Sequence, residues 1–146
     1  MATQDKYDRQ LRMWGADGQH KLNKANVLCL GLTAVGAETL KNLVLPGVGF
    51  IRIVSDDNVT QRTLAANFFV DTEDIDRNVA QATLKNLLEL NPDVKGEAIQ
   101  QSPVVFFEQQ SKEGSSGILK SASLVVCDNL DFVESCVTTG ICGPCE

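Results

Sequence analysis

The chain has 146 residues, 43% of them hydrophobic, and a formal net charge of −6. That length suits one domain with a real core, and scattered Lys and Arg under a negative net charge exclude a nucleic-acid-binding face. No apolar run approaches the ~20 residues that span a bilayer, and the polar opening MATQDKYDRQ has no signal-peptide h-region, so the expected setting is cytoplasmic or nuclear.

Residues 7–24 read as helix-like pieces broken at Gly15 and Gly18, with Asp8 a candidate cap for a short helix carrying Leu11 and Trp14 on one face. Val27–Leu30 is an all-apolar run, as a parallel strand covered on both faces requires. From Ala34 to Leu45 the apolar positions Ala37, Leu40, Leu43 and Val44 follow helical spacing, and Pro46-Gly47 ends the helix. Phe50–Val54 is a second strand. Asp56–Thr72 has no clear period and reads as a loop with a short helix. Residues 75–90 read as a helix burying Val79, Leu84, Leu87, Leu88 and Leu90, stopped by Asn91-Pro92.

Val94–Ile99 is a third strand, 111–117 (SKEGSSG) a flexible linker, and Ser123–Cys127 a fourth strand. Strands alternating with helices of this length give an α/β fold, a doubly wound, mostly parallel Rossmann-like sheet. Such sheets usually hold about five strands or more. The domain over residues 1–130 is therefore expected to be incomplete at its C-terminus, with 131–146 an irregular tail, truncated or aberrant.

The strand, turn and helix of residues 27–49 form the opening of a dinucleotide-type unit. A competent turn would carry glycines at 31, 33 and 36; Gly31 and Gly36 are present, and Thr33 replaces the middle one. The second glycine lets the backbone approach a pyrophosphate closely. A β-branched threonine puts a Cβ into that gap and tolerates unusual backbone angles poorly. The architecture of a nucleotide site is kept while part of its chemistry is lost, which points to a partner subunit more than to a stand-alone enzyme.

Cys29 and Cys127 lie in apolar strand-like runs and read as small buried hydrophobes. Cys136, Cys142 and Cys145 crowd the last eleven residues. Cys142-Gly-Pro-Cys145 matches a redox tetrapeptide, whose chemistry needs its first thiol at a helix N-terminus, and one such pair with one more cysteine falls short of a four-ligand zinc site. No bound metal is expected. His20, in a polar stretch, reads as solvated.

Tyr7–Gly15 (YDRQLRMWG), Gly31–Gly49 (GLTAVGAETLKNLVLPGVG), Asn67–Gln81 (NFFVDTEDIDRNVAQ) and Leu90–Val94 (LNPDV) together resemble the activating-enzyme superfamily for ubiquitin and ubiquitin-like modifiers, with its ThiF/MoeB-like adenylation fold. The resemblance covers roughly residues 7–130. Within the superfamily the opening looks like the non-catalytic subunits of the heterodimeric enzymes, those of neddylation first and those of SUMO conjugation next.

The resemblance implies that an active member adenylates its modifier with ATP and magnesium, using the glycine loop, a ribose-binding Asp, an Asn-Arg pair and a basic residue before the following helix. Here the ribose position falls on Ser55, if Asp57 matches the second acidic residue of the family's pair. The Asn-Arg pair falls on Ala65 and Ala66, and the basic residue on or near Val79, with Arg77 close by. Two alanines cannot neutralise a triphosphate, and each lost charge-assisted hydrogen bond is worth about 1.5–3 kcal/mol. Asp128 is either a magnesium-binding Asp or an Asp that ends a strand and caps a helix.

The implied role is a regulatory subunit with no catalytic residue of its own. It pairs with a catalytic subunit that holds ATP and magnesium, helps present the ubiquitin-like modifier, and inserts Arg9 toward the partner's nucleotide, with Arg12 a weaker candidate. Trp14 reads as a packing anchor. The rivals are an autonomous adenylyltransferase or dehydrogenase, against which Thr33, Ser55, Ala65 and Ala66 count, and a small redox protein using Cys142 and Cys145.

Overall fold

The computed structural model describes residues 6–112 and 117–128. Cys136, Cys142, Cys145 and the 131–146 tail lie outside the described residues, as does the middle of the 111–117 linker.

Four parallel strands, β1 (Asn26–Leu30), β2 (Phe50–Val54), β3 (Lys95–Ile99) and β4 (Leu124–Cys127), stand in the order β3-β2-β1-β4. The helices between them are α1 (Asp8–Lys24), α2 (Ala34–Val44), α3 (Gln61–Ala66), α4 (Val79–Leu90), α5 (Pro103–Lys112) and α6 (Ile118–Ser121). Alternation along the strands divides the core between the two sheet faces. Val27, Cys29, Ile51 and Ile53 pack with Leu40 and Val44 of α2 and Leu84 and Leu87 of α4, while Leu28, Leu30 and Val54 pack with Phe106 of α5. Full burial of each large aliphatic side chain contributes roughly 1.5–3 kcal/mol. Helices on both faces of a parallel sheet make the fold doubly wound, as the apolar strands imply.

Several local expectations need correction. Gly18 does not break the first helix: α1 runs through it and kinks at Gly15 alone, where φ is 73° and ψ 175°. Trp14 lies directly over Gly18, where a Cβ would stand 2.7 Å from its ring. Asp8 is the first helical residue and pairs with Arg12 at 2.9 Å; Tyr7 holds the cap position. The fourth helix begins at Val79, not at 75. Thr72–Asp74 form a 3-10 turn, Asp76 has a φ of 66°, and Asn78 caps α4 by accepting from Gln81 N at 3.2 Å.

Leu90, expected inside, is exposed at the last turn of α4, and Asn91 is buried in its place. Cys127 is also exposed rather than buried, because β4 is the outer strand of the described sheet; Leu124 and Val125 share its exposure. The helix α5 was not foreseen.

Candidate functional site: the loop after the first strand

Gly31 leaves β1 with a φ of 80°, a left-handed turn that glycine takes without Cβ strain. The next turn needs no such freedom. Thr33 has φ −101° and ψ −177°, ordinary extended backbone, and it is the N-cap of α2, its Oγ1 accepting from Val35 N at 3.2 Å. The expected backbone penalty for threonine at this position is therefore absent. The unusual angle falls on Gly31, and the threonine hydroxyl supplies a cap that glycine lacks.

The loop faces the end of β4. Strand order reverses here, with β2 on one side of β1 and β4 on the other, and doubly wound sheets place their ligand crevice at such a point. Asp128 follows β4 directly, its N–H donating to Leu30 O at 3.0 Å. Its carboxylate reaches across the crevice. Oδ2 accepts from Thr33 N at 2.5 Å, from Gly36 N at 2.9 Å and from Thr33 Oγ1 at 2.8 Å. Oδ1 takes a further contact from Thr33 Oγ1 at 3.0 Å. A helix N-terminus with converging N–H groups is an anion site by construction, and in this chain the anion is its own side chain. These contacts make the Asp128 side chain a cap of α2; the helix expected after Asp128 lies outside the described residues.

Beside the loop, between it and α3, lies a cavity of about 430 Å³. Its walls include Leu32, Val35, Thr60, Thr63 and Ala66, with Arg62 as the basic residue among them. Thr60 and Thr63 bond one another in a capping box, and Asn67 at the edge is committed to Thr83 and to Phe69 N.

The residues singled out from sequence are only partly gathered here. Gly31, Thr33 and Gly36 form the loop, and Ala66 is on the cavity wall; Ala65 is exposed and outside the lining. Ser55 is fully buried at the end of β2, its Oγ accepting from Asp57 N at 3.2 Å and its carbonyl from Asn78 Nδ2 at 2.8 Å. It presents nothing to a ribose. Asp57 is exposed, and its carbonyl accepts from Val79 N at 3.0 Å. Val79 is buried, and Arg77 faces Asp74 at 3.4 Å in a separate polar cavity that also holds Asn58 and Lys85. Arg9 lies exposed on α1, outside the lining of both cavities and in no ion pair among the described residues.

Arg62, and the reach of the Asp128 carboxylate to the loop after β1, are the features that the sequence reading does not contain. Asp128 had a readable signal: in a parallel sheet, a residue one past β4 lands opposite the turn that leaves β1. The loop amides of Thr33, Val35 and Gly36 are already bonded within the chain, and Ser55 is sealed. Among the described residues no group of three or more His, Cys, Asp and Glu gathers to hold a metal ion.

A doubly wound α/β domain with a glycine-containing turn at the switch point is the architecture of a nucleotide-binding unit. The ThiF family model matches residues 7–138, and the chain belongs to that family. It is 47% identical over 100 residues to the NEDD8-activating enzyme E1 regulatory subunit of Xenopus laevis, covering 68% of this chain and 19% of that protein. It is 41% identical over 107 residues to SUMO-activating enzyme subunit 1 of Homo sapiens, covering 70% of this chain and 31% of the relative. The chain thus spans less than a third of the length of these curated relatives. Among solved structures, the E. coli tRNA N6-threonylcarbamoyladenosine dehydratase TcdA in complex with ATP superposes with a TM-score of 0.75 at 15% identity, over 94% of this chain and 57% of that one. That likeness is one of fold.

Proposed function

We propose that this chain is the adenylation-type part of a regulatory subunit of a NEDD8-activating enzyme. It has no catalysis of its own, pairs with a catalytic subunit that holds ATP and magnesium, and helps present the ubiquitin-like modifier to it. The observation that carries the reading is the 47% identity to a protein named as such a subunit. The Asp128 carboxylate on the loop amides supports the absence of an independent nucleotide site, together with the sealed Ser55 and the alanine at position 66. The loop Gly31–Gly36 with Ser55, Asp57, Ala65 and Ala66 is then a degenerate site kept for its shape.

Arg9 is proposed as the group that reaches the partner's nucleotide. Its exposure on α1 leaves the guanidinium available, and a cation supplied in trans acts only when the dimer is assembled. The proposed setting is cytoplasmic or nuclear; among the described residues no helix is long and apolar enough to cross a membrane.

The test is ATP–pyrophosphate exchange with the modifier, for this chain alone and mixed with a candidate catalytic subunit. Exchange only in the mixture, lost on Arg9→Ala with co-elution kept, supports the subunit and the trans role together. Exchange by the chain alone sinks the reading and makes it an autonomous adenylyltransferase. The 41% identity to a SUMO-activating subunit favours one second reading, which predicts exchange with the SUMO-type modifier and its catalytic partner instead.

A further inference from the structure

Of the N–H groups at the start of α2 that lie outside the helical ladder, those of Thr33, Val35 and Gly36 are spoken for and that of Ala34 is not. Thr33 N and Gly36 N go to Asp128 Oδ2, and Val35 N goes to Thr33 Oγ1, itself bonded to the same carboxylate. Ala37 N already donates to Thr33 O at 3.0 Å as the first rung of the helix. The sequence is also fitted to this anion. A Cβ at Gly36 would stand 2.1 Å from Asp128 Oδ2 and 2.7 Å from Cγ, so only glycine leaves room for the carboxylate. The glycine that a nucleotide fingerprint would assign to helix packing is here required by an aspartate.

We propose that Asp128 is a built-in anion that keeps phosphate out of the loop. The site is refractory to nucleotide because it is filled by the chain itself, in addition to any loss of nucleotide-binding side chains. This rests on the reading of the site as one that does not use ATP. A phosphate group approaching the same amides would have to expel the carboxylate or lie against it as a like charge, and the helix N-terminus offers about half a positive charge in all, enough for one anion. The chain's commitment of Thr33 as both cap and hydroxyl donor to Asp128 holds that side chain in place from two sides.

The experiment is titration of the full chain with inorganic triphosphate, with and without magnesium, followed by calorimetry and by the amide signals of Thr33 and Gly36. The unaltered chain is expected to show no saturation at millimolar triphosphate. Asp128→Ala is expected to bind at least tenfold more tightly, with those two amide signals moving. Asp128→Asn keeps the size of the side chain while removing its charge; it serves as the second variant if Asp128→Ala fails to fold, and is expected to gain binding in the same direction.

A folded variant with no gain overturns the proposal. So does binding by the unaltered chain that appears only with magnesium, because Asp128 would then be a metal ligand. The subunit reading fails separately: exchange by the unaltered chain alone defeats it, whereas absent gain in Asp128 variants leaves partner-dependent exchange intact.

Discussion

Asn91 Nδ2 donates a hydrogen bond of 2.9 Å to the hydroxyl of Tyr7, joining two buried residues 84 positions apart. The same amide donates to Val44 O at 2.8 Å, and the Tyr7 hydroxyl donates to Asp93 Oδ2 at 2.9 Å. Gly47 closes against the ring, where a Cβ would stand 2.7 Å from the Tyr7 hydroxyl. Three separate stretches that carry the family resemblance, the Tyr7 opening, Pro46–Gly49 and Leu90–Val94, thus meet at one polar knot between α1, the end of α2 and the end of α4.

Tyr7→Phe removes the hydroxyl and leaves the buried Asn91 amide short of a partner, at a cost of about 1–3 kcal/mol. Asn91→Ala is expected to cost more, since it takes a partner from Tyr7 and Lys6 together and leaves Val44 O with Gly47 N alone. Urea unfolding of each variant reads this. A Tyr7→Phe change within about 0.5 kcal/mol of the parent, the range of an ordinary surface substitution, would mean the knot is not a point of stability.

Next to the knot, Lys6 donates to Asp93 Oδ2 at 2.9 Å and to Asn91 Oδ1 at 2.5 Å. The hydrogen bond from Lys6, then that from Tyr7, holds the Asp93 carboxyl below its usual range, and the bond to Asp93 raises the Lys6 ammonium above its own. The lowered acid contributes stability that is present above its unfolded pKa and lost as pH falls through the folded one. The raised base contributes stability present below its unfolded pKa and lost as pH rises through the folded one. The stability difference between the parent and Asp93→Asn should therefore be flat between about pH 5 and pH 9 and shrink outside that window. Both groups are partly exposed, so added salt should reduce it throughout. A difference that stays flat into strong acid would sink the assignment.

Where the sequence was legible, the cause was periodicity backed by punctuation. Phe50–Val54 is a strand over those same residues because four β-formers around Arg52 stand between Gly49 and a polar loop, and α2 is bounded by Thr33 and Pro46-Gly47 as its composition implies. Helix α4 was overrun at its start because Ile75 fits a helical face, while the turn-forming work of Asp71, Asp74 and Asp76 lies in side-chain and backbone bonds that have no period. Cys127 misled for a different reason: an apolar strand reads alike whether it is central or outermost. At the loop, Thr33 looked like damage because the glycine pattern presupposes a phosphate. Its role became visible only once Asp128, 95 residues away, was seen to sit in that place.

Thr33→Ala should lower stability by about 0.5–2 kcal/mol through loss of the cap, whereas Thr33→Gly should cost only a few tenths of that unit. The glycine variant restores the full set at 31, 33 and 36, yet it leaves the Asp128 carboxylate on Gly36 N. It is expected to gain no affinity for triphosphate. Calorimetric titration of Thr33→Gly checks this, and a gain equal to that of Asp128→Ala would show that the threonine closes the loop as much as the aspartate does.

The Cys29 thiol should be inert in the native chain. It is fully buried in β1, its S–H donating to Gly31 O at 3.2 Å, and burial pushes its pKa up to about 12, with the nearby Asp128 carboxylate acting in the same direction. The thiolate is the reactive form, and at pH 8 almost none of Cys29 is thiolate. Cys127, one position before Asp128, is exposed at the outer strand. Iodoacetamide at pH 8, followed by peptide mass mapping, should label Cys127 within the time that leaves Cys29 intact. Labelling of Cys29 should rise with urea in step with global unfolding, because β1 pairs with both β2 and β4 and cannot open alone. Labelling of Cys29 in the absence of denaturant at the rate of Cys127 would mean that β1 is not the centre of the sheet.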